Sequence, residues 1–132
     1  MAEAKLNLRN IVLTMLTDTL DEGKFSNVCV NETFARYELK AQERAFVSRL
    51  YLGVLERLIY LDHIINRHST VRTEKMKPVI REILRMSVYQ MFFMDSVPDH
   101  AALNEAGVLV RKRRLGQLSG FVNGVLRSIQ RE

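Results

Sequence analysis

Four consecutive cations, Arg111 to Arg114, are the side chains whose type and spacing most directly suggest chemistry. Guanidinium and ammonium groups clustered in this way bind phosphate oxygens and release counterions from a polyanion. The same cluster, followed by Leu115 and Gly116, is also typical of a helix end, because cations complement the helix dipole and glycine accepts the left-handed conformation there. The sequence therefore leaves two interpretations open: a polyanion-binding surface, or the solvated end of a helix.

The net charge is divided unevenly between the two halves of the chain. Residues 1–66 hold eight Lys and Arg against nine Asp and Glu, whereas residues 67–132 hold twelve against six. The whole chain carries a net charge of +5, and the excess of cations over anions lies entirely in the second half. This asymmetry favours a polyanionic partner over charge that serves solubility alone.

Residue sets that carry catalysis are missing from the sequence. The three histidines are scattered, no Ser-His-Asp or Cys-His set stands out, and no glycine-rich turn follows a strand to cradle a nucleotide or S-adenosylmethionine. The single cysteine, Cys29, lies among apolar residues and is interpreted as a small buried side chain. Glu105 has no second acid nearby, so we expect it to form a structural ion pair with Arg85. We predict no catalytic centre, no cofactor and no metal site in this chain.

Helices must position the remaining candidates, because apolar residues recur at spacings of three and four and no alternation of period two is sustained. The predicted centre is a helix over Val79 to Met94, whose apolar residues surround it almost completely. Its charged residues Arg81, Glu82 and Arg85 are too costly, and about sixteen residues too few, for a membrane span. We therefore predict an all-α fold of six or seven helices wrapped around this core helix.

Other helical patterns precede and follow the core helix. They span residues 6–21, a short segment capped by Ser26 or Asn27, residues 41–67, a helix capped by Asp99, and residues 117–131. We expect a break near residues 55–60, since few globular helices run straight for so long. Gly23 is predicted to end the first helix in a left-handed conformation, and Pro78 to lie in the first turn of the core helix.

Two apolar or small-residue patterns predict close packing. Leu52, Leu55 and Ile59 broaden the apolar row of the long third pattern, which places them toward the core. Gly116, Gly120 and Gly124 are four residues apart, which in a helix indicates close approach to a neighbouring element.

Length and composition are those of one ordinary globular domain. The chain has 132 residues, 47% hydrophobic and 27% charged, enough to bury about two-thirds of its unfolded surface. Its first residues lack the apolar segment of a signal peptide, and one cysteine provides no disulfide framework. We expect a cytoplasmic location.

Two long motifs resemble the NusB family of helical RNA-binding domains. They are ILRMSVYQMFFMDSVPDHAALNEA and FVNGVLRSIQRE, and the stretch YLGVLERLIYLDHII extends the resemblance over essentially the whole chain. The resemblance implies a NusB-like fold of two packed helical bundles, with an RNA surface near the start of the first helix and the start of the last.

Carried onto this sequence, the resemblance implies a set of RNA-binding residues, and a separate set of residues is predicted to be structural. The RNA-binding set, completed by the cationic cluster and the tail, is Lys5, Arg9, Arg111, Lys112, Arg113, Arg114, Gln117, Ser119, Gly120, Phe121 and Arg127. The structural set is Arg85, Asn104, Glu105 and Asn123. Helical periodicity favours the core over base stacking for Phe121.

Members of the family occur in two settings, and the tail NGVLRSIQRE resembles the sequences found in one of them. That setting is the amino-terminal domain of the bacterial 16S ribosomal RNA cytosine-C5 methyltransferase, whose catalytic domain would lie in cis and hold S-adenosylmethionine. The chain is then a single domain, residues 1–132, excised near a natural boundary, and not itself an enzyme. One alternative is a free antitermination factor that binds leader RNA and a ribosomal protein; another is a protein–protein packing module with little RNA contact.

Overall fold

The computed structural model describes residues 6–132, and that part of the chain contains helices and no strand. The helices are α1 (Leu8–Leu16), α2 (Ser26–Arg36), α3 (Ala41–Glu56), α4 (Leu58–His68), α5 (Pro78–Phe93), α6 (Asp99–Lys112) and α7 (Ser119–Gln130). A π-helical turn, Thr17–Asp21, extends α1, and short 3-10 turns occupy Thr73–Lys75 and Gly116–Leu118. The all-α prediction with six or seven helices is confirmed.

Helix α5 is the centre of the fold, as its apolar sequence predicts. It contacts α1, α3, α4, α6 and α7, and every residue from Glu82 to Gln90 is buried. Around it, α1, α2 and α3 pack on one side, and α4, α6 and α7 pack on the other. Helix α5 is exposed to solvent only at its two ends, at Pro78 and Phe92.

Helices α3 and α5 pack closely at a glycine that the sequence patterns do not single out. A Cβ atom on Gly53 would lie 2.1 Å from Cζ of the Tyr89 ring. Because both residues are buried, the absent side chain of Gly53 is what allows the Tyr89 ring to pack on the α3 backbone.

Several helix boundaries agree with the sequence predictions, and two caps do not. Gly23 has a φ of 82°, the long pattern breaks at Arg57, and Pro78 is in the first turn of α5. However, Ser26 is already the first residue of α2, which follows Phe25 without a side-chain cap. The predicted cap Asp99 is likewise the first residue of α6, behind Pro98.

The end of α6 also differs from the prediction. The left-handed residue is Arg114, with a φ of 62°, and the described chain has no positive φ at Gly116. The amide of Leu115 donates to the carbonyl of Val110 at 2.9 Å, which closes the helix end two residues earlier than a left-handed glycine at 116 would. Arg114 is thereby turned out of the helix into solvent.

Among residues 6–132, no helix is both long and apolar enough to cross a membrane.

Candidate nucleic-acid interface

A shallow groove of about 310 Å³ runs between α6 and the start of α7 and gathers several predicted residues. Its lining consists of Leu103, Asn104, Gly107, Arg111, Ser119, Gly120, Val122 and Asn123. Five of these eight were assigned functional or structural roles from the sequence. We call this feature the α6–α7 groove.

The α6–α7 groove is bounded on one side by the N-terminus of α7. No side chain caps this helix, and its first turn holds no acidic residue. The 3-10 turn Gly116–Leu118 leads directly into it. The amide of Ser119 donates to the carbonyl of Gly116 within that turn, and the positive end of the helix dipole lies at this point. Because a helix N-terminus carries partial positive charge, this end of the groove is suited to an anion.

Glycines keep the groove open instead of packing against other helices. A Cβ atom on Gly120, Gly116 or Gly124 would meet no atom within 4 Å, so the prediction of close packing at these glycines is wrong. At Gly107, by contrast, a Cβ would lie 3.3 Å from Nη1 of Arg111. The guanidinium of Arg111 therefore lies over the α6 backbone at Gly107, within the groove.

The cationic cluster is divided between solvent and a structural contact. Arg111, Lys112 and Arg114 are exposed. Arg113 instead reaches α1, where its Nε donates to Oδ1 of Asn10 at 3.1 Å and its Nη2 donates to Oγ1 of Thr14 at 2.8 Å. Burial lowers the pKa of the Arg113 guanidinium from its usual range, and Asp18 opposes this shift. Three of the four cations therefore remain available to a polyanion.

Arg9 lies on the other side of α6 and is also engaged within the protein. Its Nε donates to Oε1 of the buried Gln90 at 2.6 Å, and its guanidinium lies 5.1 Å from the centre of the Phe46 ring. Burial lowers the pKa of Arg9, and the carboxylate of Glu105 opposes that shift. The other cation predicted for this end of the chain, Lys5, lies outside the described residues.

The remaining predicted residues differ in exposure. Gln117 and Arg127 are exposed, whereas Phe121 is half-buried and packs against the core, as helical periodicity favours. Asn104 and Asn123 are exposed, line the α6–α7 groove and form no side-chain hydrogen bond with another described residue. The structural role predicted for these two asparagines is therefore wrong, because neither ties one helix to another.

The predicted ion pair between Arg85 and Glu105 is also wrong. Arg85 forms a bidentate pair with Asp62 of α4, with both N–O distances at 2.7 Å, and its Nη1 donates to Oε1 of Glu82 at 3.0 Å. Glu105 lines a different groove, beside Arg9. Helix α5 turns Arg85 toward α4, away from α6, and α4 supplies the carboxylate.

The Arg85 pair belongs to a larger buried charge network. Arg81 donates to Oδ1 of Asp21 at 2.5 Å and lies 3.4 Å from Oε2 of Glu82. Oδ2 of Asp21 is buried without a hydrogen-bond partner among the described atoms. Burial raises the pKa of Glu82 to about 7; Arg85 opposes this shift, and the neighbouring carboxylate of Asp21 adds to it. The i, i+3 spacing of Glu82 and Arg85 in an apolar helix was the sequence signal for this network.

No group of three or more His, Cys, Asp or Glu among the described residues has the geometry to hold a metal ion. Cys29 is buried, and its thiol donates to the carbonyl of Met15 at 3.7 Å. The arrangement that the structure does provide is a polar groove with an exposed arginine at an uncapped helix end.

Comparison with known proteins relates the chain to one family. The sequence model of the NusB family matches residues 6–131. A transcription antitermination protein NusB of Desulforudis audaxviator is 34% identical over 118 residues, which is 86% of each chain. A solved complex described as antitermination factors NusB and NusE with double-stranded RNA superposes with a TM-score of 0.84, at 22% identity over 94% of this chain and 93% of that one.

The chain is also similar to part of a larger enzyme. A probable ribosomal RNA small subunit methyltransferase B of Bacillus subtilis is 35% identical over 128 residues, covering 97% of this chain. The chain spans only 28% of the length of that protein.

Proposed function

The chain belongs to the NusB family, and on that premise we propose that it binds RNA through the α6–α7 groove. The observation that carries this proposal is the placement of Arg111 beside the uncapped start of α7, with Gly120 leaving the helix backbone uncovered. A guanidinium beside the positive end of a helix dipole forms a phosphate-binding site.

The groove residues divide into those suited to phosphate and those suited to nucleosides. Arg111 and the α7 amides supply charge, which binds any RNA backbone and fixes its position. Asn104 and Asn123 each offer an exposed amide that donates and accepts hydrogen bonds, as contact with a base edge or a ribose 2′-hydroxyl requires. Lys112 and Arg114, which neighbour Arg111 along the chain, and Arg127, one helical turn after Asn123, are exposed and add positive charge outside the groove lining. This composition favours recognition of RNA shape with little sequence preference.

We propose further that this RNA-binding domain serves a ribosomal RNA methyltransferase. Its support is the 35% identity to a probable small-subunit rRNA methyltransferase over nearly the whole chain, and the resemblance of the tail NGVLRSIQRE to that branch. In such an enzyme S-adenosylmethionine and the attacking thiolate would belong to a catalytic domain in cis. This domain would raise RNA affinity by tethering a second contact surface.

The second candidate is a free antitermination factor. The 34% identity to an antitermination protein NusB over 86% of both chains favours it. The coding sequence of the gene distinguishes the methyltransferase domain from the free factor. A reading frame that continues past Glu132 into a Pro-Cys motif supports the methyltransferase, and a stop codon there supports the free factor.

RNA binding through the groove is tested by replacing Arg111. We expect Arg111→Ala to weaken binding to a structured 16S rRNA fragment and to reduce the slope of log affinity against log salt by about one unit, because one phosphate contact is lost. Fluorescence anisotropy across a salt series measures both quantities.

The matched control is Arg36→Ala, which removes an exposed arginine at the end of α2, outside the groove. It should leave affinity and slope close to those of the parent. Equal effects of the two variants would show that RNA responds only to overall charge, and would contradict binding at the α6–α7 groove.

A further inference from the structure

An apolar surface lies at the junction of α3 and α4 and shares no lining residue with the α6–α7 groove. Helix α4 buries Leu61, Ile64 and Ile65, whereas Ile59 is 88% exposed and Tyr60 is 47% exposed. Sequence periodicity places Ile59 toward the core, and this prediction is wrong. The break at Arg57 starts a new helix, so the apolar row of α3 does not continue into α4 in the same direction.

These side chains line one continuous depression of about 720 Å³. Its lining is Leu55, Glu56, Arg57, Leu58, Ile59, Tyr60 and His63. The ring of Tyr60 packs edge-on against Phe93 of α5, with centroids 5.9 Å apart. We call this feature the α3–α4 patch. An isoleucine this exposed, with an aromatic ring beside it, is typical of a surface that another protein covers.

Cations lie at the edge of the α3–α4 patch. The guanidinium of Arg57 lies 4.2 Å from the centre of the Phe93 ring, and Nη2 of Arg49 donates to the Phe93 carbonyl at 2.6 Å. Both arginines are exposed, and neither forms an ion pair with another described residue. A complementary surface is therefore apolar at its centre with carboxylates opposite Arg57 and Arg49.

We propose that the α3–α4 patch docks an apolar, carboxylate-edged face of the catalytic domain in the same polypeptide, an inference that rests on the methyltransferase setting proposed above. The chain spans 28% of the related methyltransferase, so most of such an enzyme lies outside the matched region. RNA is a poorer occupant, because its hydrated phosphates gain nothing from covering Ile59 and Leu55. The Tyr60 ring, which could stack on a base, already packs edge-on against Phe93. The two surfaces then have separate tasks: the α6–α7 groove binds RNA, and the α3–α4 patch orients that groove toward the catalytic centre.

Hydrogen–deuterium exchange provides the test, with the full-length enzyme compared with the isolated 132-residue chain. Amides in the first turn of α4 have no intrahelical partners and exchange rapidly when the patch faces water. We expect peptides covering Leu58 to Tyr60 to exchange at least about tenfold more slowly in the full-length enzyme, because docking excludes water from this turn. Full-length Ile59→Asp should lose this protection. Full-length Phe25→Asp should keep it, since Phe25 is 78% exposed elsewhere on the surface.

Four results would overturn the proposal. Equal exchange in the full-length and isolated proteins shows an uncovered patch. Protection of the isolated chain by a 16S rRNA fragment assigns the patch to RNA, and protection that grows with the concentration of the isolated chain assigns it to a second copy. A stop codon after Glu132 overturns both this proposal and the methyltransferase setting. A failure of Arg111→Ala to weaken RNA binding would contradict only the RNA-binding proposal and would not affect the docking proposal.

Discussion

Substitutions of single residues on α6 and α7 can distinguish the two interpretations of the cationic cluster, as an RNA-binding surface or as the solvated end of a helix. Arg113 is occupied by Asn10 and Thr14 of α1, so removing it would disturb the packing of α6 on α1 as well as the charge. Arg111 has no such structural partner among the described residues and lies in the groove. Mutations that separate the two interpretations must therefore avoid Arg113.

Gly120 offers a second test that leaves charge unchanged. Gly120→Ala adds a methyl group where no protein atom lies within 4 Å, so it should not destabilise the fold and can stabilise it by up to about 1 kcal/mol. If RNA approaches the α7 backbone, the same methyl group should weaken binding by a factor of about ten. Anisotropy titrations and urea unfolding measure the two effects separately.

Gly124→Ala is the matched control for this prediction. Gly124 is exposed on the same helix, with equally open space at its Cβ position, but it does not line the groove. We expect Gly124→Ala to leave RNA affinity unchanged. Parent-like affinity for Gly120→Ala would show that RNA does not approach the start of α7 closely.

At the scale of helices, α5 contacts α1, α3, α4, α6 and α7, and it meets α3 at Gly53 without an intervening side chain on the α3 side. The apolar run in α5 was sufficient to predict its central position, because a helix without a polar face must be surrounded. Its neighbours were not predictable from that run. Periodicity gives the apolar faces of each helix but not the direction in which a given side chain meets the next helix, which is why Asp62 was missed as the partner of Arg85.

The α3–α5 contact predicts an unusual cost for adding a methyl group. Gly53→Ala places a Cβ atom 2.1 Å from the Tyr89 ring, and overpacking of this kind costs about 1–3 kcal/mol. This exceeds the gain of up to about 1 kcal/mol that alanine has over glycine inside a helix. We expect a lower free energy of unfolding in urea, while Gly124→Ala shows no loss. A Gly53→Ala variant as stable as the parent would mean that Tyr89 can leave the α3 surface freely.

At the scale of the whole molecule, sequence alone predicted the fold class, the core helix and a break within residues 55–60, but only part of the candidate site. Motif resemblance indicated the start of α7, and the structure places Ser119 and Gly120 in a groove with Arg111. The inclusion of Asn104 and Asn123 in that groove, and the exposure of Ile59, depend on how helices are rotated against one another. Such rotations follow from packing of the complete core, which no single helical pattern contains.

The buried charge network joins the two sides of the molecule and contains more carboxyl groups than guanidinium groups. It contains three carboxyl groups, on Asp21, Asp62 and Glu82, and two guanidinium groups, on Arg81 and Arg85. With every group ionised the network carries one excess negative charge, which is costly where Glu82 is completely buried. A proton on Glu82 removes that charge and supplies a donor for the unpartnered Oδ2 of Asp21.

Because Glu82 holds a proton in the folded state, we expect the free energy of unfolding to fall as the pH rises. The pKa of Glu82 is raised from 4.5 to about 7 on folding, so the folded state keeps a proton that the unfolded state releases. Its stabilising effect is therefore complete below pH 4.5 and is lost between 4.5 and about 7. The loss amounts to about 3 kcal/mol at most, since one unit of pKa corresponds to about 1.4 kcal/mol.

Glu82→Gln should remove this pH dependence, because glutamine is neutral at every pH and its amide can donate to Asp21. Urea unfolding at pH 5 and pH 8 measures the effect. We expect the parent to lose stability between the two values and Glu82→Gln to abolish most of that loss. The control Glu38→Gln, which changes an exposed carboxylate, should retain it. If Glu82→Gln and the parent lost the same free energy of unfolding over this interval, the proton would not reside on Glu82, and the buried carboxylates would be neutralised by the two arginines alone.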